Sequence, residues 1–228
     1  MNEPPLVSAT GIWKSFRRRT RPVLRNAELE VRAGEVVALV GENGAGKTTL
    51  LRICAGVLPP DTGQILANSH INYCPQEPGV FDLLTADEHL VLFGCAVGLS
   101  RAAAVMEGRE LLQRFGLSHE RRDPARELSG GARQKLNVAL ALLGDPPILL
   151  LDEPYQGFDR GAYINFWDHV QVWRAEGRAV VVVTHLLAEL DRVDRVVELS
   201  IPTAAPDPSV RSRRRATAES KPHSEGVS

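Results

Sequence analysis

Gly41-Glu42-Asn43-Gly44-Ala45-Gly46-Lys47-Thr48 fits the pattern G-x-x-x-x-G-K-[ST] in full. Such a segment does phosphate chemistry. Its glycines let backbone N–H groups close round anionic oxygens, Lys47 reaches the outer phosphates of a nucleoside triphosphate, and Thr48 offers its hydroxyl to magnesium. Further along, Leu128-Ser129-Gly130-Gly131 opens a predicted helix and supplies a second set of backbone N–H donors for anionic oxygens.

Two carboxylates complete the chemistry. The apolar run Ile148 to Leu151 ends in Asp152 and Glu153, which puts both acids at the C-terminal end of a buried strand, where ligands of open α/β sheets collect. Asp152 is expected to hold magnesium directly or through water, and Glu153 to orient or deprotonate an attacking water. An aspartate at a strand end is commonplace alone; the phosphate loop upstream gives this one its meaning.

The elements that must position these groups can be read from the hydrophobic pattern. Val36 to Val40, Ile148 to Leu151 and Ala179 to Val183 are short branched-aliphatic runs, as suits a parallel sheet buried on both faces. Ser8 to Ser15 and Ala27 to Val31 alternate more and read as half-exposed strands, and Thr49 to Ala55 continues the phosphate loop as a helix. From Thr85 to Arg126 the pattern turns helical, with Leu90, Phe93 and Val97 on one face and Val105, Leu111, Leu112 and Phe115 on another. Asp87 and Glu88 suit the first helix's dipole, and Trp167 and Trp173 fall on a later predicted helix as structural residues. The histidines other than His185 have no evident role beyond packing or surface.

The expected fold is therefore α/β: a P-loop core with a mainly parallel sheet, an N-terminal antiparallel β subdomain and an inserted helical subdomain. The core takes in about 6–80 and 135–200 and the helical part about 81–134. Ile201 to Ser228, rich in Pro, Ala, Ser and charge and containing Arg211 and Arg213 to Arg215, reads as a mostly disordered, solvated tail.

Composition narrows the functional classes. A chain of 228 residues with 43% hydrophobic content can bury one sizeable core. Its net charge of −1 gives no global pull toward nucleic acid or acidic lipid. Cys54, Cys74 and Cys95 resemble neither a disulfide framework nor a zinc site, so a reducing compartment is expected. The N-terminus lacks the regions of a signal peptide, and no stretch of about 18 apolar residues is present to span a bilayer.

Taken in order and spacing, these motifs over residues 6 to 199 resemble the ATP-binding cassette (ABC) ATPase subunit of an ABC transporter. The resemblance implies ATP and Mg2+ as ligands, with Gly41 to Thr48 and Thr49 around the phosphates and Thr48, Gln76 and Asp152 at the metal. It implies that Leu128 to Gly131 is the signature motif, whose Ser129, Gly130 and Gly131 contact nucleotide across a head-to-tail sandwich of two cassettes, identical or different. Gln76, in Tyr73-Cys-Pro-Gln-Glu77, matches the Q-loop glutamine that links magnesium, water and membrane partner.

Asp159 matches the D-loop aspartate, and His185 the switch histidine at the terminal phosphate, so Lys47, Gln76, Glu153 and His185 form the implied catalytic set. Phe16 sits where the family has an aromatic that stacks on adenine, with Trp13 the other choice. A cytoplasmic ATPase follows, held on the inner face of the membrane by a separate permease and energising transport, with export favoured by the stretch Asp82 to Leu90. No nucleic acid is expected. A soluble ABC ATPase of translation or DNA repair is the other reading, although the chain has neither a second cassette nor a coiled-coil or zinc insertion.

Several positions depart from the family pattern: Ala132 after the signature, Tyr155-Gln156 for a small Thr/Ser pair, and Phe158 for leucine.

Overall fold

The computed structural model describes residues 4–16, 22–184 and 191–202. Strands β1 (Val7–Lys14) and β2 (Leu24–Val31) form an antiparallel pair, then β3 (Val36–Gly41) runs into the phosphate loop and α1 (Lys47–Cys54). Strands β4 (Thr62–Ala67) and β5 (Ile71–Cys74) precede three helices, α2 (Ala86–Ala96), α3 (Arg101–Arg114) and α4 (Gly130–Leu142). The chain closes with β6 (Ile148–Asp152), α5 (Arg160–Ala175), β7 (Ala179–Val183) and β8 (Arg195–Leu199).

These strands make two sheets, an antiparallel one ordered β2-β1-β4 and a parallel one ordered β5-β6-β7-β3-β8. The parallel sheet divides the core. Leu149 and Leu151 of β6, with Val180 and Val182 of β7, face a cluster built on α4 and α5, whereas Ile148, Leu150, Ala179, Val181 and Val183 face α1 and the antiparallel sheet. Side chains alternate across a strand, so burial on both faces demands apolar residues at every position. All five residues of β6 and of β7 are buried.

The helical region departs from the sequence expectation in two respects. Ala104, Gly108, Leu111 and Leu112 form the inward stripe of α3, spaced as one helix face requires. Val105 lies beside that stripe and lines an outer groove with Leu90 and Leu92. α4 also runs unbroken across the subdomain boundary expected near residue 134. Trp167 and Trp173 are buried on α5. The tail from 203 onward lies outside the described residues.

Candidate functional site

The phosphate loop turns from β3 into α1 through Gly46, which has φ 100° and no side-chain cap. A β-carbon here would come within 2.6 Å of Leu24 Cδ2, so both the left-handed backbone and the close approach of β2 call for glycine. The first turn of α1 contains no acidic residue, which leaves its N–H groups and the positive end of the dipole for an anion. Lys47 folds back over the loop and donates to the carbonyl oxygens of Gly41 at 2.7 Å and Glu42 at 3.1 Å. Burial lowers its pKa, against the opposing fields of Glu153 and Asp152.

A cavity of about 230 Å³ opens over this loop, lined by Phe16, Val23, Asn43, Gly44, Gly46, Lys47, Thr48, Thr49, Gln76 and Glu153. It gathers residues from the end of β1, the loop, the segment after β5 and the end of β6. Lys14 is fixed by Pro59 O at 2.6 Å and Asp61 at 3.2 Å, which anchors the strand end carrying Phe16. Trp13 instead stacks under Arg25, 5.5 Å from its ring. Ala45 faces the other way, onto a cavity of about 600 Å³ between β2 and the end of β8.

At the end of β6, Asp152 is fully buried. It accepts hydrogen bonds from Thr48 Oγ1 and Tyr73 Oη, each at 3.2 Å. Burial raises its pKa, and these two bonds oppose the rise. Glu153 follows at φ 48°, and its Oε2 accepts from Gln76 Nε2 at 3.1 Å. Among the described residues no three His, Cys, Asp or Glu side chains cluster to hold a metal. The donor set fits magnesium, which keeps several waters and takes one or two protein ligands together with substrate phosphates. Thr48 and Asp152 would hold it, with Gln76 beside them.

The signature lies elsewhere. Ser129 caps α4, its Oγ accepting from Ala132 N at 3.1 Å. A β-carbon on Gly131 would approach Gly157 O to 2.7 Å, so the signature packs directly on the turn that leads to Asp159. Asp159 caps α5 by accepting from Ala162 N at 2.9 Å, and that backbone donor holds its carboxyl below the usual range. It faces a separate cavity with Lys135 and His169. None of Ser129, Gly130, Gly131 or Asp159 lines the cavity above Lys47. His185 lies outside the described residues.

Three residues in or near this machinery went unread in the sequence. Tyr73 reaches Asp152, as noted above. Asn137, buried on α4, donates to Pro75 O at 2.8 Å and Cys74 Sγ at 3.2 Å and accepts from Gly79 N at 3.4 Å, so it grips the segment that carries Gln76. His89 is fully buried: Nε2 accepts from Phe81 N at 2.8 Å and Nδ1 lies 2.8 Å from Thr85 O. A polar residue inside the apolar run Leu136-Asn137-Val138 was the available signal for Asn137.

Comparison with known proteins agrees with this architecture. The ABC transporter family model matches residues 24–156. ATP-binding cassette sub-family A member 7 of Mus musculus is 37% identical over 214 residues, which cover 86% of this chain and 10% of that protein. The Nod factor export ATP-binding protein I of Azorhizobium caulinodans is 34% identical over 203 residues, covering 83% of this chain and 63% of that protein. This chain thus spans about a tenth of the length of the sub-family A proteins it matches.

Among solved structures, the ATP-binding subunit of an ABC transporter superposes with a TM-score of 0.78 at 28% identity, covering 94% of this chain and 95% of that one. A dimeric bacterial ABC transporter cassette, 24% identical, shares the fold with the same TM-score over 85% of this chain and 94% of that one. With its phosphate loop, acidic strand end and signature helix arranged on this fold, the chain belongs to the ABC transporter family.

Proposed function

We propose that the chain is an ATPase subunit that energises transport, in the outward direction, through a separate membrane protein. One observation carries this reading: Lys47, Thr48, Gln76 and Glu153 face a single cavity, and Thr48 bonds to Asp152 beneath it. ATP phosphates seat on the loop 41–48 and the N-terminus of α1, with Thr49 in the same turn and Phe16 against the base. Thr48 and Asp152 would hold magnesium, which when bound would neutralise phosphate charge. Glu153 receives the proton of the attacking water and Gln76 orients that carboxylate, while the resemblance gives His185, outside the described residues, the terminal phosphate.

Ser129, Gly130, Gly131 and Asp159 serve the cavity of a second cassette, identical or different, in a head-to-tail pair. Their absence from this chain's own cavity supports the assignment. ATP then binds the closed pair better than the open one, the differential affinity that a ligand-driven change requires. No described helix is long and apolar enough to cross a membrane; in this reading the permease supplies the membrane anchor and holds the chain on the cytoplasmic face. Exposed Phe81 and Leu83, following Gln76, and the apolar groove of about 470 Å³ between α2 and α3 offer that partner a surface. Export follows the resemblance of residues 82–90 and the export function in the Nod factor relative's name.

Affinity purification from detergent-solubilised cells tests the partner. An integral membrane protein should co-purify stoichiometrically with the tagged chain. Recovery of ribosomes or DNA in its place would contradict the transport reading and favour a soluble role.

A further inference from the structure

We propose that Tyr155 is a positioning residue for Glu153: its hydroxyl ties the turn after Glu153 to the end of β7 and so holds the carboxylate over the cavity. The inference rests on the ATPase reading above. Glu153 has φ 48°, a left-handed conformation that an L side chain adopts only where its surroundings over-determine it. On the side-chain end Gln76 Nε2 holds the carboxylate at 3.1 Å. The backbone end requires a second anchor.

That anchor is visible two residues on. The chain turns after Glu153, with Gln156 N donating to Glu153 O at 3.2 Å and Phe158 N to Tyr155 O at 3.0 Å. Tyr155 Oη donates to Thr184 Oγ1. Thr184 is 1% exposed and its backbone N donates to Leu39 O of β3 at 3.3 Å, so the tether ends on the rigid sheet.

The Tyr155 ring is held independently, edge-on to Tyr163 at 5.0 Å and Phe166 at 5.6 Å on α5. Ring packing fixes where the hydroxyl sits, and the hydroxyl fixes the turn against β7. A small residue at 155, as the resemblance leads one to expect, would lack both this aromatic packing and the phenol reach.

The test uses the full chain with Tyr155→Phe, Thr184→Val and the double variant. Each single change deletes one side of the bond and keeps most of the volume. In steady-state MgATP hydrolysis, kcat should fall about tenfold in each, within the range that misplacing a reacting group costs. KM and nucleotide affinity by titration should stay within about twofold, and the double variant should lose less than the product of the two single losses, because the singles share one interaction.

A Tyr155→Phe enzyme with wild-type kcat overturns the proposal, as does a lowered melting temperature with unchanged kcat, the mark of a merely structural role. Should Tyr155→Phe fail to fold, Thr184→Val reads the same bond from its other end. Wild-type protein that binds ATP without hydrolysing it would remove the ATPase reading and this proposal together, a result distinct from failure of the tether alone.

Discussion

Asn137 of α4 donates its side-chain N–H to the carbonyl oxygen of Pro75, 2.8 Å away and one residue before Gln76. The helix that Ser129 opens is thereby fastened to the segment that orients Glu153. Asn137 also donates to Cys74 Sγ and receives Gly79 N–H, so one buried amide holds both sides of the Gln76 turn. Asn137→Ala would leave these groups without their partner and should destabilise the protein by about 2 kcal/mol. A melting temperature lower by about 4–8 °C follows for a chain of this size. Thermal melts measure the loss, and a reduced kcat should accompany it.

Gly131 meets the carbonyl of Gly157 so closely that a β-carbon would lie 2.7 Å from a backbone oxygen. Gly131→Ala must push the signature helix from the turn leading to Asp159. The expected cost is about 1–3 kcal/mol, as for other overpacked sites. Because Gly131 is absent from the cavity above Lys47, binding of ATP by the isolated chain should change less than about twofold, while hydrolysis by the pair should fall. Calorimetric titration beside a thermal melt separates the two effects.

Thr85 and Glu88 form a reciprocal cap on α2: Glu88 N donates to Thr85 Oγ1 at 3.2 Å and Thr85 N to Glu88 Oε2 at 2.8 Å. Thr85→Ala should cost about 1 kcal/mol, a fall of about 2–4 °C in melting temperature. Thr85→Ser should recover most of it. Chemical denaturation of the three proteins decides whether the cap behaves as the bonds indicate.

His89 makes the fold sensitive to acid. Burial lowers its pKa below the ordinary value, with Thr85 O and Glu88 offsetting part of the shift; its Nε2 accepts from Phe81 N and is not free to take a proton. Between the lowered native pKa and about 6.5 the unfolded chain binds more protons than the native one. Stability should therefore decline as pH falls below about 6.5, until the native pKa is reached. His169, also lowered by burial, acts in the same direction. Urea titrations from pH 8 to pH 5 should show a shallower decline for His89→Gln than for the wild type, even though that variant starts less stable.

How much of this was legible beforehand depended on how strongly burial stamps the sequence. β6 and β7 are buried on both faces, and their unbroken aliphatic runs announced them within a residue or two. β4 is exposed at five of its six positions, leaves almost no apolar pattern and was not foreseen; β5, only four residues long, was missed as well. The loop 41–48 and Asp152-Glu153 were readable because phosphate and metal chemistry restrict residue type at fixed spacing. Tyr73 and Asn137 act through contacts with residues distant in the sequence, and His89 by bonding backbone groups that any residue carries, so none of them leaves a residue-type spacing to detect. Val105 was grouped on one face with Leu111, Leu112 and Phe115, whereas the buried stripe of α3 runs through Ala104 and Gly108; apolar character alone cannot say which stripe of a helix is covered.

In the proposed mechanism Glu153 takes the proton of an attacking water within an ATP-bound pair of cassettes. Hydrolysis of MgATP by purified wild type and Glu153→Gln, each also sized by gel filtration with ATP, tests it most directly. Steady hydrolysis is expected of the wild type, with a loss of at least about 100-fold in the variant and an ATP-dependent dimer of the variant that the wild type does not accumulate. A Glu153→Gln protein that hydrolyses ATP at the wild-type rate would contradict this mechanism.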